Sequence, residues 1–188
     1  MPRPALLTVL LLASLLPGGT SADEVGLLEL LNYYEYSPRL MSAGQPTREQ
    51  FPLVAAAGVE AVINLAPLGT PGAFAEEGEV VTALGMGYAH IPVDWDDPAA
   101  TDLHDFFRAM RHFDGRRVLV HCNANARASA FVYLWRTLER HEDEPAARAT
   151  MLDIWDWNAG YELRNMPQWQ AFVANARAAA AERAAAAR

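Results

Sequence analysis

The chain has 188 residues, a formal net charge of −8 and a single cysteine. That length suits one domain with a substantial core. All 15 positive residues are arginine, and none cluster into the basic stripe that nucleic-acid binding requires, so an acidic chain of this kind is excluded from that class.

Residues 1–22 read as a signal peptide. Arg3 supplies a small positive region, Ala5 to Leu16 an apolar run, and Thr20-Ser21-Ala22 the small residues of a cleavage site. The apolar run is short for a bilayer span, so the expectation is removal of the leader and export, to the periplasm. Residues 23–188 are then expected to form one domain with a helical C-terminal extension. A lone thiol in an oxidising compartment is a liability and has no internal disulfide partner, which favours a chemical role for Cys122.

From Asp23 to Tyr36, Leu27, Leu28, Leu30 and Leu31 precede a tyrosine cluster, which reads as a short helix or an arm packed on the domain. Residues 39–44 read as a strand and turn. Thr47 and Gln50 have capping-box spacing and open a helix through Phe51, Leu53, Val54 and Ala57, which Gly58 ends. Val59 to Leu65 is a buried strand. Ala73 to Leu84 is a helix whose Glu76, Glu77 and Glu79 suit its dipole and read as solvated. Tyr88 to Val93 is a strand that delivers an acidic loop, Asp94-Trp95-Asp96-Asp97-Pro98. From about Thr101 to His112, Leu103, Phe106, Phe107 and Met110 share one helical face.

Val118-Leu119-Val120 is a β-branched run that reads as a buried strand, and Ala128 to Trp135 is apolar almost all round, as in an enclosed helix. Cys122 falls between them, beside a helix N-terminus that favours anions and thiolates. Beyond Arg136 the chain turns helical, with a helix opened by Pro145, a break at Asn158-Ala159-Gly160, and a long Ala-rich helix from Pro167 to Ala187. Trp155, Trp157 and Trp169 read as packing ahead of an aromatic rim. The expected fold is α/β, a central, mostly parallel sheet of four to five strands flanked by helices in three layers. Both the cysteine loop and the acidic loop lie at strand carboxyl ends, where such sheets bind ligands.

Cys122 is placed to act as a nucleophile. The amides of Asn123, Ala124, Asn125 and Ala126 can cradle an anion, and Arg127 offers a planar fork to its oxygens. Ser129 is placed either to donate to the Cys122 sulfur or to pack as a small residue. The histidines at 90, 104, 112, 121 and 141 show no metal-binding spacing, and no cofactor is expected.

The run Val118 to Phe131, with Ser42-Ala43-Gly44-Gln45-Pro46-Thr47, resembles a bacterial family of dual-specificity, protein-tyrosine-phosphatase-like proteins, from about Leu40 to about Arg136. The resemblance implies a cysteine-phosphatase-like fold, hydrolysis of phosphate monoesters through a cysteinyl-phosphate intermediate, a loop-ordering role for His121, and a general acid on the acidic loop. Asp94 is the first choice for that acid, then Asp96, with Asp97 also eligible. One departure stands out. Four residues, not five, separate Cys122 from Arg127, Ala128 takes the usual arginine position, and the customary glycine is absent. Asn123 or Asn125 can supply the positive φ in its place. The shorter loop is closer to that of rhodanese-like sulfurtransferases. Sulfur transfer through a Cys122 persulfide, and anion binding without turnover, therefore stand as alternatives. The expected partner is an anionic substrate; nothing points to a particular ester or protein.

Overall fold

The computed structural model describes residues 26–157 and 162–188. A helical turn at 26–28 leads to β1 (Tyr34–Ser37) and β2 (Leu40–Ala43), followed by α1 (Phe51–Ala56), β3 (Ala61–Asn64), α2 (Glu77–Ala83), β4 (Gly87–His90) and α3 (Ala100–His112). Next come β5 (Val118–His121), α4 (Ala126–Leu138), α5 (Glu144–Asp156), a 3-10 turn at Leu163–Asn165 and α6 (Pro167–Ala186). The strands form one sheet in the order β1-β2-β5-β3-β4, with β1 antiparallel and the others parallel. The expected α/β architecture is the one observed, with β5 in the middle of the sheet.

Alternation along the central strands builds two cores. Ala61, Ile63, Val118 and Val120 face a cluster made with α3, α4, α5 and α6, while Val62 and Leu119 face Phe51, Val54, Val81, Leu27 and Leu30. β3 and β5 are buried along their whole length, which is why both read as near-continuous apolar runs. All ten residues from Ala126 to Trp135 are buried, so α4 is enclosed on every side, as its composition predicts. Leu103, Phe106, Phe107 and Met110 form the buried face of α3.

The helix signals act locally. Gly58 takes φ +79°, and Val59 N–H returns to the Val54 carbonyl, a closing arrangement that needs a residue free of Cβ strain. Asp143 Oδ1 accepts from Ala146 N–H at 3.0 Å and starts α5. Thr47 N–H donates to Gln50 Oε1, but this pair shapes a turn and α1 begins only at Phe51. No described helix is long and apolar enough to cross a membrane.

Two expectations are corrected here. The tyrosine cluster is not helical: Tyr34–Ser37 is an edge strand paired with β2, with side chains alternating between half-buried and exposed. Glu77 is not solvated but 1% exposed. The expected break at Asn158-Ala159-Gly160 lies outside the described residues, as does the expected leader at 1–22.

Candidate active site

Cys122 directly follows β5 and is 2% exposed; Asn125, in the left-handed region at φ +70°, turns the chain into α4. The left-handed turn that the missing glycine would provide is therefore made by one of the two asparagines that can make it.

The loop is held from outside by its carbonyls. Gln45 N–H donates to the Asn123 carbonyl at 2.9 Å, Asn32 Nδ2 to that of Ala124 at 3.1 Å, and Ser129 N–H to that of Asn125 at 2.9 Å. In a trans peptide the carbonyl and the next N–H point in opposite directions, so the amides of Ala124, Asn125 and Ala126 turn away from those partners. The loop leads into the start of a 13-residue helix, whose N-terminal end favours an anion.

A cavity of about 100 Å³ is lined by Trp95, Cys122, Asn123, Ala124, Ala126 and Arg127. Arg127 is 6% exposed, and its Nε and Nη1 have no hydrogen-bond partner among the described residues. Its guanidinium carbon lies 5.4 Å from the centre of the Trp95 ring. A buried guanidinium that faces an aromatic ring and lacks a carboxylate is costly unless an anion completes it.

The acidic loop contributes Trp95 to this cavity. Asp94, Asp96 and Asp97 are exposed and line none of it; Asp94 Oδ1 accepts from Asp96 N–H at 2.8 Å, a local turn. Trp95 is fixed from behind by Trp155, stacked at 5.7 Å, and by Trp169, whose Nε1 donates to the Trp95 carbonyl at 3.0 Å. Trp155 and Trp169 are fully buried, so their role is to brace the loop, while Trp157 is half exposed. Ser129 is buried, and its hydroxyl donates to the Ala126 carbonyl at 3.0 Å.

Behind the loop lies a polar cluster that the sequence did not announce. Glu77 Oε1 accepts from Asn64 Nδ2 at 2.7 Å and from Tyr88 Oη at 3.0 Å, and lies 3.0 Å from His121 Nε2; its Oε2 accepts from Gln45 Nε2 at 2.6 Å. Burial pushes the carboxyl toward its neutral form, but the hydrogen bond and charge of His121, with the bonds from Gln45 and Tyr88, outweigh it and hold Glu77 below its ordinary range. The available signal was helical spacing: Glu77 lies four positions from Val81, the buried residue of α2. Gly44 also belongs to this wall, since a Cβ there would sit 2.8 Å from the Asn123 carbonyl oxygen and 2.9 Å from Leu31 Cδ2. Gly44 and Gln45, in the middle of the Ser42 to Thr47 run, thus support the cysteine loop from outside. Among the described residues no group of three or more His, Cys, Asp or Glu side chains is placed to hold a metal.

A thiol at the carboxyl end of a central strand, a short amide loop and a buried arginine opening the next helix define a protein of the tyrosine and dual-specificity phosphatase-like class. Comparison with known proteins narrows this. The chain is 38% identical to a DUF442 protein of known structure from Shewanella putrefaciens CN-32, with a TM-score of 0.72 over 85% of this chain and 98% of that one. It belongs to the DUF442 family of phosphatase-like proteins. Pseudomonas (P. aeruginosa) TpbA shares the fold at 19% identity and a TM-score of 0.59, covering 80% of this chain and 91% of TpbA. The chain is also 31% identical over 137 residues to the Beta-lactamase hydrolase-like protein of Agrobacterium fabrum, matching 70% of its own length and only 30% of that relative's. No family model matches the chain.

Proposed function

We propose that this protein is an exported, cysteine-dependent phosphatase acting on phosphate monoesters. The observation that supports it most is Arg127, a buried guanidinium with two nitrogens unpartnered among the described residues, lining the same small cavity as the only thiol in the chain. The Cys122 thiolate attacks phosphorus and the bond to the leaving oxygen breaks. Arg127 and the loop amides hold the non-bridging oxygens as charge develops. The leaving oxygen takes a proton from the acidic loop, where Asp94 is the first choice and Asp96 the second. Water then gives a proton to that same carboxylate and attacks phosphorus, breaking the P–S bond, releasing phosphate and restoring the thiolate. Ser129, whose hydroxyl donates to the Ala126 carbonyl in the resting site, would assist that departure by rotating toward the sulfur. TpbA has been captured with phosphotyrosine, which makes a phosphotyrosine-type ester a reasonable first substrate. The leader at 1–22 supports a periplasmic location.

Turnover of p-nitrophenyl phosphate by the mature chain, abolished by vanadate, is the expected result. Neither turnover nor vanadate binding would overturn the reading. Vanadate binding without turnover would identify a binding module. One observation favours a second reading: no carboxylate among the described residues lines the cavity, and sulfur transfer needs no protonated leaving oxygen. In that case thiosulfate would leave a mass increment of about 32 Da on Cys122, the persulfide sulfur.

A further inference from the structure

We propose that Glu77 is a positioning residue for Cys122, acting through His121 and Gln45 without touching the substrate. The proposal rests on Cys122 being the reacting residue. Its carboxylate ties together the carboxyl ends of two strands, a third strand and one connecting segment: Asn64 ends β3, His121 ends β5, Tyr88 is the second residue of β4, and Gln45 follows β2. Two of these lead directly into the loop. His121 is bonded in sequence to Cys122, and Gln45 passes the restraint on by donating its own N–H to the Asn123 carbonyl.

The His121 ring lies on the face of β5 opposite Cys122, against Phe51 at 6.3 Å, and is wholly buried. Glu77 Oε1 is its one hydrogen-bond partner among the described residues, since Nδ1 has none. A ring anchored at a single atom keeps its orientation only while that anchor holds. The same carboxylate fixes Gln45, so its loss frees the loop at both of these points. Glu77 sits at the start of α2, a short helix with no side-chain cap; its buried carboxylate is therefore not explained by stabilising that helix alone. Four converging donors around one carboxylate, two of them on segments that enter or hold the cysteine loop, are the structure of a support built for geometry.

The test compares Glu77→Ala and Glu77→Gln with the wild type on p-nitrophenyl phosphate, alongside the rate at which iodoacetamide alkylates Cys122. A misplaced nucleophile lowers kcat and leaves KM nearly untouched, by about tenfold or more for Glu77→Ala per folded molecule. Glu77→Gln keeps an acceptor for His121 but presents a second amide to Gln45, so it falls between the two. Alkylation of the otherwise buried thiol rises about fivefold or more in Glu77→Ala as the loop loosens. Should Glu77→Ala fail to fold, Glu77→Gln and Gln45→Met carry the same comparison. The proposal is overturned if folded variants keep kcat within twofold and alkylate at the wild-type rate, or if activity falls only with the folded fraction. If the wild type itself shows no turnover, the phosphatase reading falls; the alkylation rates then decide the role of Glu77 alone.

Discussion

Asn32 and Asn125, 93 positions apart, grip each other's segments. Asn125 Nδ2 donates to the Asn32 carbonyl at 2.6 Å, and Asn32 Nδ2 donates to the carbonyl of Ala124 at 3.1 Å. Both residues have positive φ, +49° at Asn32 and +70° at Asn125. The segment before β1 is thus locked to the loop that carries the thiol, and asparagine serves both the backbone and the bond.

Asn125→Ala removes the bond and places a β-carbon where φ is unfavourable, at a combined cost of about 2–4 kcal/mol in urea unfolding. Asn125→Gly relieves the backbone but not the lost bond, so it recovers part of the stability. Asn32→Ala costs less, about 1–2 kcal/mol, and lowers turnover because Ala124 loses an outer restraint.

Arg127→Met separates binding from stability. A buried cation without a carboxylate is unfavourable, so its removal leaves thermal stability unchanged or raised. In the wild type, phosphate at about ten times its Kd adds about 1.4 kcal/mol and lifts Tm by a few degrees. In Arg127→Met that phosphate-dependent shift disappears, and kcat/KM falls about a hundredfold or more. A lower Tm together with an intact phosphate shift would contradict the site.

The strand, cysteine, loop, arginine and helix were legible because they are contiguous: an apolar run, a lone thiol and an all-apolar helix identify themselves between Val118 and Leu138. Their supports come from far away in sequence. Glu77 lies 44 positions from His121, and an acidic residue at a helix start looks the same whether it faces water or a buried histidine. Tyr34 and Tyr36 alternate as in a strand, but four residues carry too little pattern to outweigh the leucines before them. The acidic loop was placed at the right strand end, yet which of its residues enters the cavity depends on Trp155 and Trp169, supplied by α5 and α6.

Gly44→Ala pushes a methyl carbon to 2.8 Å from the Asn123 carbonyl oxygen. The backbone oxygen cannot yield cheaply and the Leu31 side chain closes the other side, so the variant loses about 1–3 kcal/mol and its turnover drops with the displaced loop. Gly85→Ala, where nothing lies within 4 Å, leaves turnover at the wild-type level despite the strain of its positive φ.

Glu77 also sets a pH dependence. Its folded pKa is held below the ordinary value of 4.5, so its contribution to stability is complete above that value and is lost as pH falls through the folded pKa. Urea midpoints measured from pH 7 to pH 3 should show a fall at the acid end that is shallower in Glu77→Gln, which starts from a lower stability at neutral pH.

The most direct measurement is acid-quenched mass spectrometry of the mature chain mixed with p-nitrophenyl phosphate, in the wild type and in Cys122→Ser. The expected result is a phosphate adduct on Cys122, absent from Cys122→Ser. An adduct on another residue, or turnover that survives Cys122→Ser, would contradict it.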